Sequence, residues 1–96
     1  MKIYISLPIS GRKIDEVKAE ASELAKLLKQ EGHEPVNPFE VSTNEKASYA
    51  EHMGKDIQTL LECDGAFFAR GWQKSKGCRL EYQAACIYNK FLMGDF

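Results

Sequence analysis

At 96 residues, 44% of them hydrophobic and 28% charged, the chain is long enough for one soluble domain with a single modest core and too short for two. A formal net charge of -1 argues against a general nucleic-acid or membrane-surface binder. No apolar run approaches a membrane span, no signal-peptide h-region precedes a cleavage site, and Cys63, Cys78 and Cys86 are odd in number without metal-type spacing to His33 or His52. A cytoplasmic protein with reduced cysteines is therefore expected.

Lys2 to Leu7 is a short apolar, β-branched run ended by Pro8, Ser10 and Gly11, and reads as a buried strand. Ile14, Val17, Ala21, Leu24, Ala25 and Leu28 then recur at helical spacing until Gly32 supplies a stop. Glu34 to Val36 is a brief strand cut off by Asn37-Pro38, and Phe39 to Ala47 reads as a loop. Ser48 with Glu51 three residues on is a capping box that opens a second helix running to about Cys63. Gly65 to Ala69 is a third strand, the helix carrying Glu81 follows, and Phe91 to Met93 makes a short fourth strand.

Strands alternating with helices imply βαβ units and a parallel sheet covered on both faces, here a Rossmann-like three-layer α/β/α sandwich in the flavodoxin-like order 2-1-3-4. Ligands of such sheets bind beyond the carboxyl ends of the strands. That edge holds Pro8 to Lys13, Asn37 to Glu40 and Arg70 to Lys76.

Two carboxylates sit where apolar side chains belong. Glu81 projects between Ala84, Ala85 and Tyr88, with Gly77 one turn earlier. Asp56 falls in the centre of the stripe made by Tyr49, Met53, Ile57 and Leu60. A carboxylate aimed into a helix–sheet interface costs roughly several kcal/mol unless it is compensated. One such residue could be a cap or an ion pair. Two on helices flanking the same strand are the usual equipment for breaking a glycosidic bond, one as nucleophile and one as proton donor. Asp64, at a helix-to-strand junction, suits turn or capping duty.

Tyr4 and Ser6 share one face of the first strand; Tyr4 is either core or the hydroxyl partner of a buried carboxylate. Ser10-Gly11-Arg12 has the look of a small anion-binding turn, although the P-loop pattern is absent. Arg12, Lys13, Arg70, Lys74, Lys76 and Arg79 gather at the ligand edge, either as a solvated charged rim or as an attraction for phosphate to which Ser75 and the following helix N-terminus would contribute. Phe39 and Trp72 could stack on a base or pack on the sheet.

With these residues placed, the chain resembles the nucleoside 2-deoxyribosyltransferase-like superfamily, in particular its short bacterial and phage (DUF4406-like) branch. The resemblance is carried by Ile3-Tyr4-Ile5-Ser6-Leu7-Pro8-Ile9-Ser10-Gly11, Asn37-Pro38-Phe39, Asp56-Ile57, Cys63-Asp64 and Gly71 through Glu81, and spans almost the whole chain. It implies that Glu81 is the nucleophile at the anomeric carbon, that Asp56 handles protonation at the base, and that Tyr4 orients Glu81. It further implies a substrate- or phosphate-binding set of Ser6, Ser10, Gly11, Arg12, Ser75 and Gly77. Ser75 stands where the transferases carry an aspartate and resembles the deoxynucleoside 5′-monophosphate N-hydrolases in this. The implied activity is hydrolysis of 2′-deoxynucleosides or their 5′-monophosphates, or transfer of their deoxyribosyl group, through a glycosyl-enzyme intermediate and with no metal or redox cofactor. Arg79, in place of a small residue, is expected to narrow the pocket. In the resembling enzymes a neighbouring subunit completes the site, which implies a homodimer. The partner is a small-molecule nucleoside or nucleotide, not a nucleic-acid polymer or a membrane. Two other classes stay open: a nucleotide- or nucleotide-sugar-binding module without turnover, and a structural interaction domain, which would leave Glu81 and Asp56 unexplained.

Overall fold

Lys2–Ser6 forms strand β1 at the centre of the sheet in the computed structural model, which describes residues 1–41, 44 and 46–96. Helix α1 (Ile14–Gln30) follows, then β2 (Glu34–Val36), a one-turn helix α2 (Pro38–Val41), α3 (Tyr49–Leu61), β3 (Gly65–Phe68), a 3-10 turn (Trp72–Lys74), α4 (Lys76–Ile87) and β4 (Phe91–Gly94). The sheet is parallel throughout, in the order β2-β1-β3-β4. This is the predicted order, and the strands differ from the predicted ones only by a residue at their ends.

Period-two alternation in β1 divides the core. Ile3, Ile5 and Leu7 face Val17, Ala21 and Leu28 of α1. Tyr4 faces the opposite way, with Ala66 and Phe68 of β3, onto Leu60 of α3 and Cys78 and Ala85 of α4. The result is three layers, with one helix on the first face and two on the second.

Local signals set the element ends. Beyond α1, Gly32 adopts φ +90° and the His33 amide donates to the Leu28 carbonyl at 3.0 Å, the paired closure of a left-handed helix stop. Asn89 does the same for α4 at φ 56°, with the Lys90 amide donating to Ala85 O at 2.8 Å. Ser48 and Glu51 form the predicted capping box at the start of α3. The expected loop from Phe39 is partly wrong. Pro38 sits in the first turn of α2, where it lacks nothing, and Asn37 Oδ1 accepts from the Phe39 amide at 2.9 Å. Ser42, Thr43 and Glu45 of that predicted loop lie outside the described residues. Asp64 performs junction duty, accepting the Lys2 amide on Oδ2 at 2.8 Å.

Candidate active site

Crossover helices run against the strands they follow, so α3 and α4 begin at the carboxyl edge of the sheet. Ser75 opens α4, its Oγ accepting from the Cys78 amide at 3.2 Å. Glu81 lies a turn further in, on the face turned towards β1, and is 5% exposed. Tyr4 and Ser6, two residues apart on one face of β1, reach it together. The Tyr4 hydroxyl donates to Glu81 Oε2 at 2.7 Å, and the Ser6 hydroxyl donates to Oε1 at 2.7 Å. No ion pair to Glu81 occurs among the described residues. Burial pushes its pKa up to about 7, against the pull of the Ser6 and Tyr4 hydrogen bonds, and the nearby charge of Asp56 raises it further.

Asp56 is half-buried on α3, and its Oδ1 is buried without a hydrogen-bond partner among the described residues. Burial lifts its pKa to about 6, while His52 and the Tyr4 hydroxyl favour the charged form. Tyr4 thus stands close enough to both carboxyl groups to feel each of them. Burial foremost, then the charges of Glu81 and Asp56, hold its phenol well above the ordinary tyrosine value, so it remains a donor.

Tyr4, Asp56 and Glu81 line one cleft of about 760 Å³ at the predicted edge, together with Ser10, Arg12, Ser75 and Gly77. Arg70, Lys74 and Lys76 complete its basic rim. Arg12 is partly spoken for: its guanidinium donates to Glu20 Oε1 at 3.1 Å and to Pro8 O at 2.9 Å. Lys13 and Arg79 are exposed and do not line the cleft, so Arg79 does not narrow it.

Four of the expected site residues lie elsewhere. Ser6 is 1% exposed and turned inward to Glu81. Gly11, exposed at φ +78°, is in the preceding turn but not at the cleft wall. Trp72 is 8% exposed, stacked on Tyr82 at 4.6 Å between ring centroids, with its indole N–H donating to Asp95 O at 2.8 Å. Phe39 is half-buried against the α1 side of the core, with the Lys18 ammonium 5.8 Å from its ring centroid. Both aromatics pack on the fold and neither reaches the cleft, because each finds more apolar area on the protein than at a wet rim.

Tyr49, Met53 and Cys78 line the cleft without having been assigned to it. The signal was available for the first two. They share a face with Asp56, at the α3 end that opens at the carboxyl edge, so a stripe that becomes core at Leu60 is cleft wall at Tyr49. Gly77 permits this wall to close. A Cβ there would stand 3.3 Å from Met53 Sδ and 3.4 Å from the Tyr49 hydroxyl.

Residues 1–93 match the family described as Domain of unknown function (DUF4406). The chain belongs to this family. Curated protein sequences give no match to it. Solved structures do match this DUF4406 domain. The 2-deoxyribosyltransferase of Bacillus psychrosaccharolyticus aligns with a TM-score of 0.74 at 22% identity, over 98% of this chain and 71% of its own. The 2-deoxyribosyltransferase of Leishmania mexicana gives 0.72 at 22% identity, over 97% and 62%. The CMP N-glycosidase BcmB of Clostridium botulinum gives 0.66 at 18% identity, over 98% and 67%. The DUF4406 domain therefore has the nucleoside 2-deoxyribosyltransferase-like fold, as the resemblance implied. Among its described residues no helix is long and apolar enough to cross a membrane, and no cluster of potential metal ligands occurs.

Proposed function

We propose that the domain is an N-glycosidase acting on 2′-deoxynucleosides or their 5′-monophosphates. The observation that carries this reading is the convergence of two buried-side carboxyl groups, Glu81 and Asp56, on one phenol in one cleft. In the reaction the Glu81 carboxylate attacks C1′, the C1′–N bond breaks, and Asp56 gives its proton to the departing base. Water then attacks C1′ of the glycosyl ester, its proton passes to Asp56, and the bond to Glu81 breaks. Both steps pass through a transition state with positive charge on the sugar, which the two acids would stabilise. The rim of Arg70, Lys74 and Lys76 with Ser75 supports a phosphorylated substrate over a bare nucleoside. The cleft volume falls within the ordinary range for small-molecule sites. On this reading the chain acts as one domain, as a cytoplasmic homodimer, on a small molecule and not on a nucleic-acid polymer.

One observation favours the second reading, a nucleotide-binding module without turnover. A Glu81 pushed to about 7 keeps its proton in much of the population at neutral pH, and a protonated carboxyl does not attack carbon. Incubation with a panel of deoxynucleosides and their 5′-phosphates, with base release followed by chromatography, separates the two. Release that is lost in Glu81→Ala, in a variant that stays folded, is the expected result. Binding without release would replace the glycosidase by the binding module.

A further inference from the structure

The cationic rim of the cleft lies on a segment too short to hold itself. Arg70, Lys74 and Ser75 stand around the single 3-10 turn Trp72–Lys74. Its backbone is closed by the Lys74 amide donating to Gly71 O and the Ser75 amide donating to Trp72 O, each at 3.1 Å. Arg70, Gln73 and Lys74 are exposed, and Trp72 is the one buried side chain of the turn, so the indole is the anchor of the rim. Part of its seat is the framework itself: it stacks on Tyr82 of α4 and meets Phe68 of β3 at 5.4 Å between ring centroids. The rest comes from the end of β4. The indole N–H donates to Asp95 O at 2.8 Å, and the Phe96 ring meets the indole edge-on at 5.6 Å. Gly94 brings that segment in. At φ +121° it passes so close to β3 that a Cβ would stand 2.2 Å from Phe68 O, and the Asp95 amide donates to the same oxygen at 3.0 Å. None of residues 91–96 lines the cleft.

We propose that the segment Gly94 to Phe96 positions the cationic rim of the cleft, acting through Trp72. The indole N–H is a donor on a largely buried ring, and a buried donor left unpaired is costly, so the bond to Asp95 O fixes the ring in one orientation. Phe96 closes over the same ring. Ser75 carries the placement onward. Its amide is bonded to Trp72 O and its hydroxyl accepts the Cys78 amide, so a shift of the indole passes to the start of the helix that bears Glu81. Cations on a turn that is already anchored lose less conformational freedom when they close on an anion than cations on a loose one. On the phosphate reading of the rim, an edge strand that lines no part of the cleft thereby sets how firmly the site holds a phosphate. Trp72, Asp95 and Phe96 are positioning residues and touch no substrate.

The consequence for phosphate rests on the proposed reading of the rim; the positioning itself does not, and can be tested without ligand. Phe96 is 65% exposed, so Phe96→Ala removes its contact with the indole and leaves the core whole. Trp72→Phe keeps a ring in place and removes the N–H. Amide hydrogen exchange is followed by NMR in the wild type and both variants. The rim is read at Lys74 and Ser75, and the reference amides are Gly32 and His33, which close α1 at the opposite edge of the sheet. In each variant the rim amides are expected to exchange roughly fivefold faster or more, the equivalent of one hydrogen bond or aromatic contact, with the reference amides unchanged. Equal acceleration at both places, or none at the rim, would overturn the proposal. Should Trp72→Phe fail to fold, Phe96→Ala alone decides. Calorimetry with a deoxynucleoside 5′-monophosphate and with the nucleoside then tests the consequence, the expected result being several-fold weaker binding of the monophosphate alone. A loosened rim with no difference between the two ligands would keep the positioning and discard the phosphate reading; a selective loss of the monophosphate without loosening would do the reverse.

Discussion

Glu81 is held against a strong desolvation penalty, and its consequence for stability can be stated with its sign. The side chain titrates at about 7 in the folded protein, against an ordinary value of 4.5. Below that ordinary value both folded and unfolded chains carry the proton. Between the two values the folded chain retains a proton that the unfolded chain has lost, so stability falls as pH rises and levels off beyond about 7. The loss is on the order of 3 kcal/mol. Asp56, raised to about 6, acts in the same direction over a lower window. Glu81→Gln removes the larger part of this dependence. Thermal unfolding at a series of pH values from about 5 to 8 should show the melting temperature of the wild type falling and that of the variant much flatter, with the variant the more stable at the alkaline end. A wild type whose stability rises over that interval would mean that Glu81 is charged and well compensated in the fold. The identity of this residue was legible in the sequence because a carboxylate on an apolar helix face needs a reason. Its two hydroxyl partners were legible only in part. Alternation along a strand tells that Tyr4 and Ser6 share a face and not which partner each finds, so the hydrogen bond of Ser6 to Glu81 is visible only in the structure.

Among the elements, α3 has the most direct bearing on the site. Its first turn carries Tyr49, its second Met53 and its third Asp56, so the angle at which the helix enters decides the shape of the cleft wall. The entry is set by Ser48, whose Oγ accepts from the Glu51 amide at 3.1 Å while Glu51 reaches back to the Ser48 amide. At the other end the Lys90 ammonium donates to the Leu61 carbonyl at 2.9 Å, joining the end of α3 to the start of β4. Ser48→Ala should destabilise the domain by about 1 kcal/mol in chemical denaturation, through loss of the cap. A change below about 0.3 kcal/mol would show that tertiary packing alone holds the helix entry. The elements were nearly all readable from periodicity and punctuation. The exceptions are the single turns α2 and the Trp72–Lys74 turn, which are too short to show a period and depend on local caps such as Asn37 and the left-handed Gly71.

Across the whole molecule, the carboxyl edge gathers charge from two separate chain segments. Arg12 follows β1, Arg70 follows β3, and Lys74 and Lys76 flank the start of α4. Glu20 already engages Arg12, which leaves Arg70, Lys74 and Lys76 as the stronger attraction for an anion. Replacing Arg70 and Lys74 by Ala should weaken binding of a deoxynucleoside 5′-monophosphate by about tenfold or more for each cation lost, near 1.4 kcal/mol apiece. Binding of the corresponding nucleoside without phosphate should be little changed. Calorimetry on the pair of ligands tests this, and equal losses for both would remove phosphate from the reading of the rim. The overall arrangement followed from the strand and helix sequence, because parallel neighbours need crossovers and the crossovers leave few sheet orders available.

What the sequence determined alone is therefore the list of elements, the 2-1-3-4 sheet, the edge at which a ligand would sit and the two acids that do not belong on their helix faces. These are consequences of local periodicity and chain connectivity. What only the tertiary structure decided is which groups meet: Tyr4 and Glu81, 77 residues apart; Ser6 on the opposite oxygen; Asp56 with its buried Oδ1 left without a donor among the described residues; Trp72 and Phe39 taken by the core. Those outcomes depend on competition among side chains for a few buried partners, and that competition is resolved only when the layers pack.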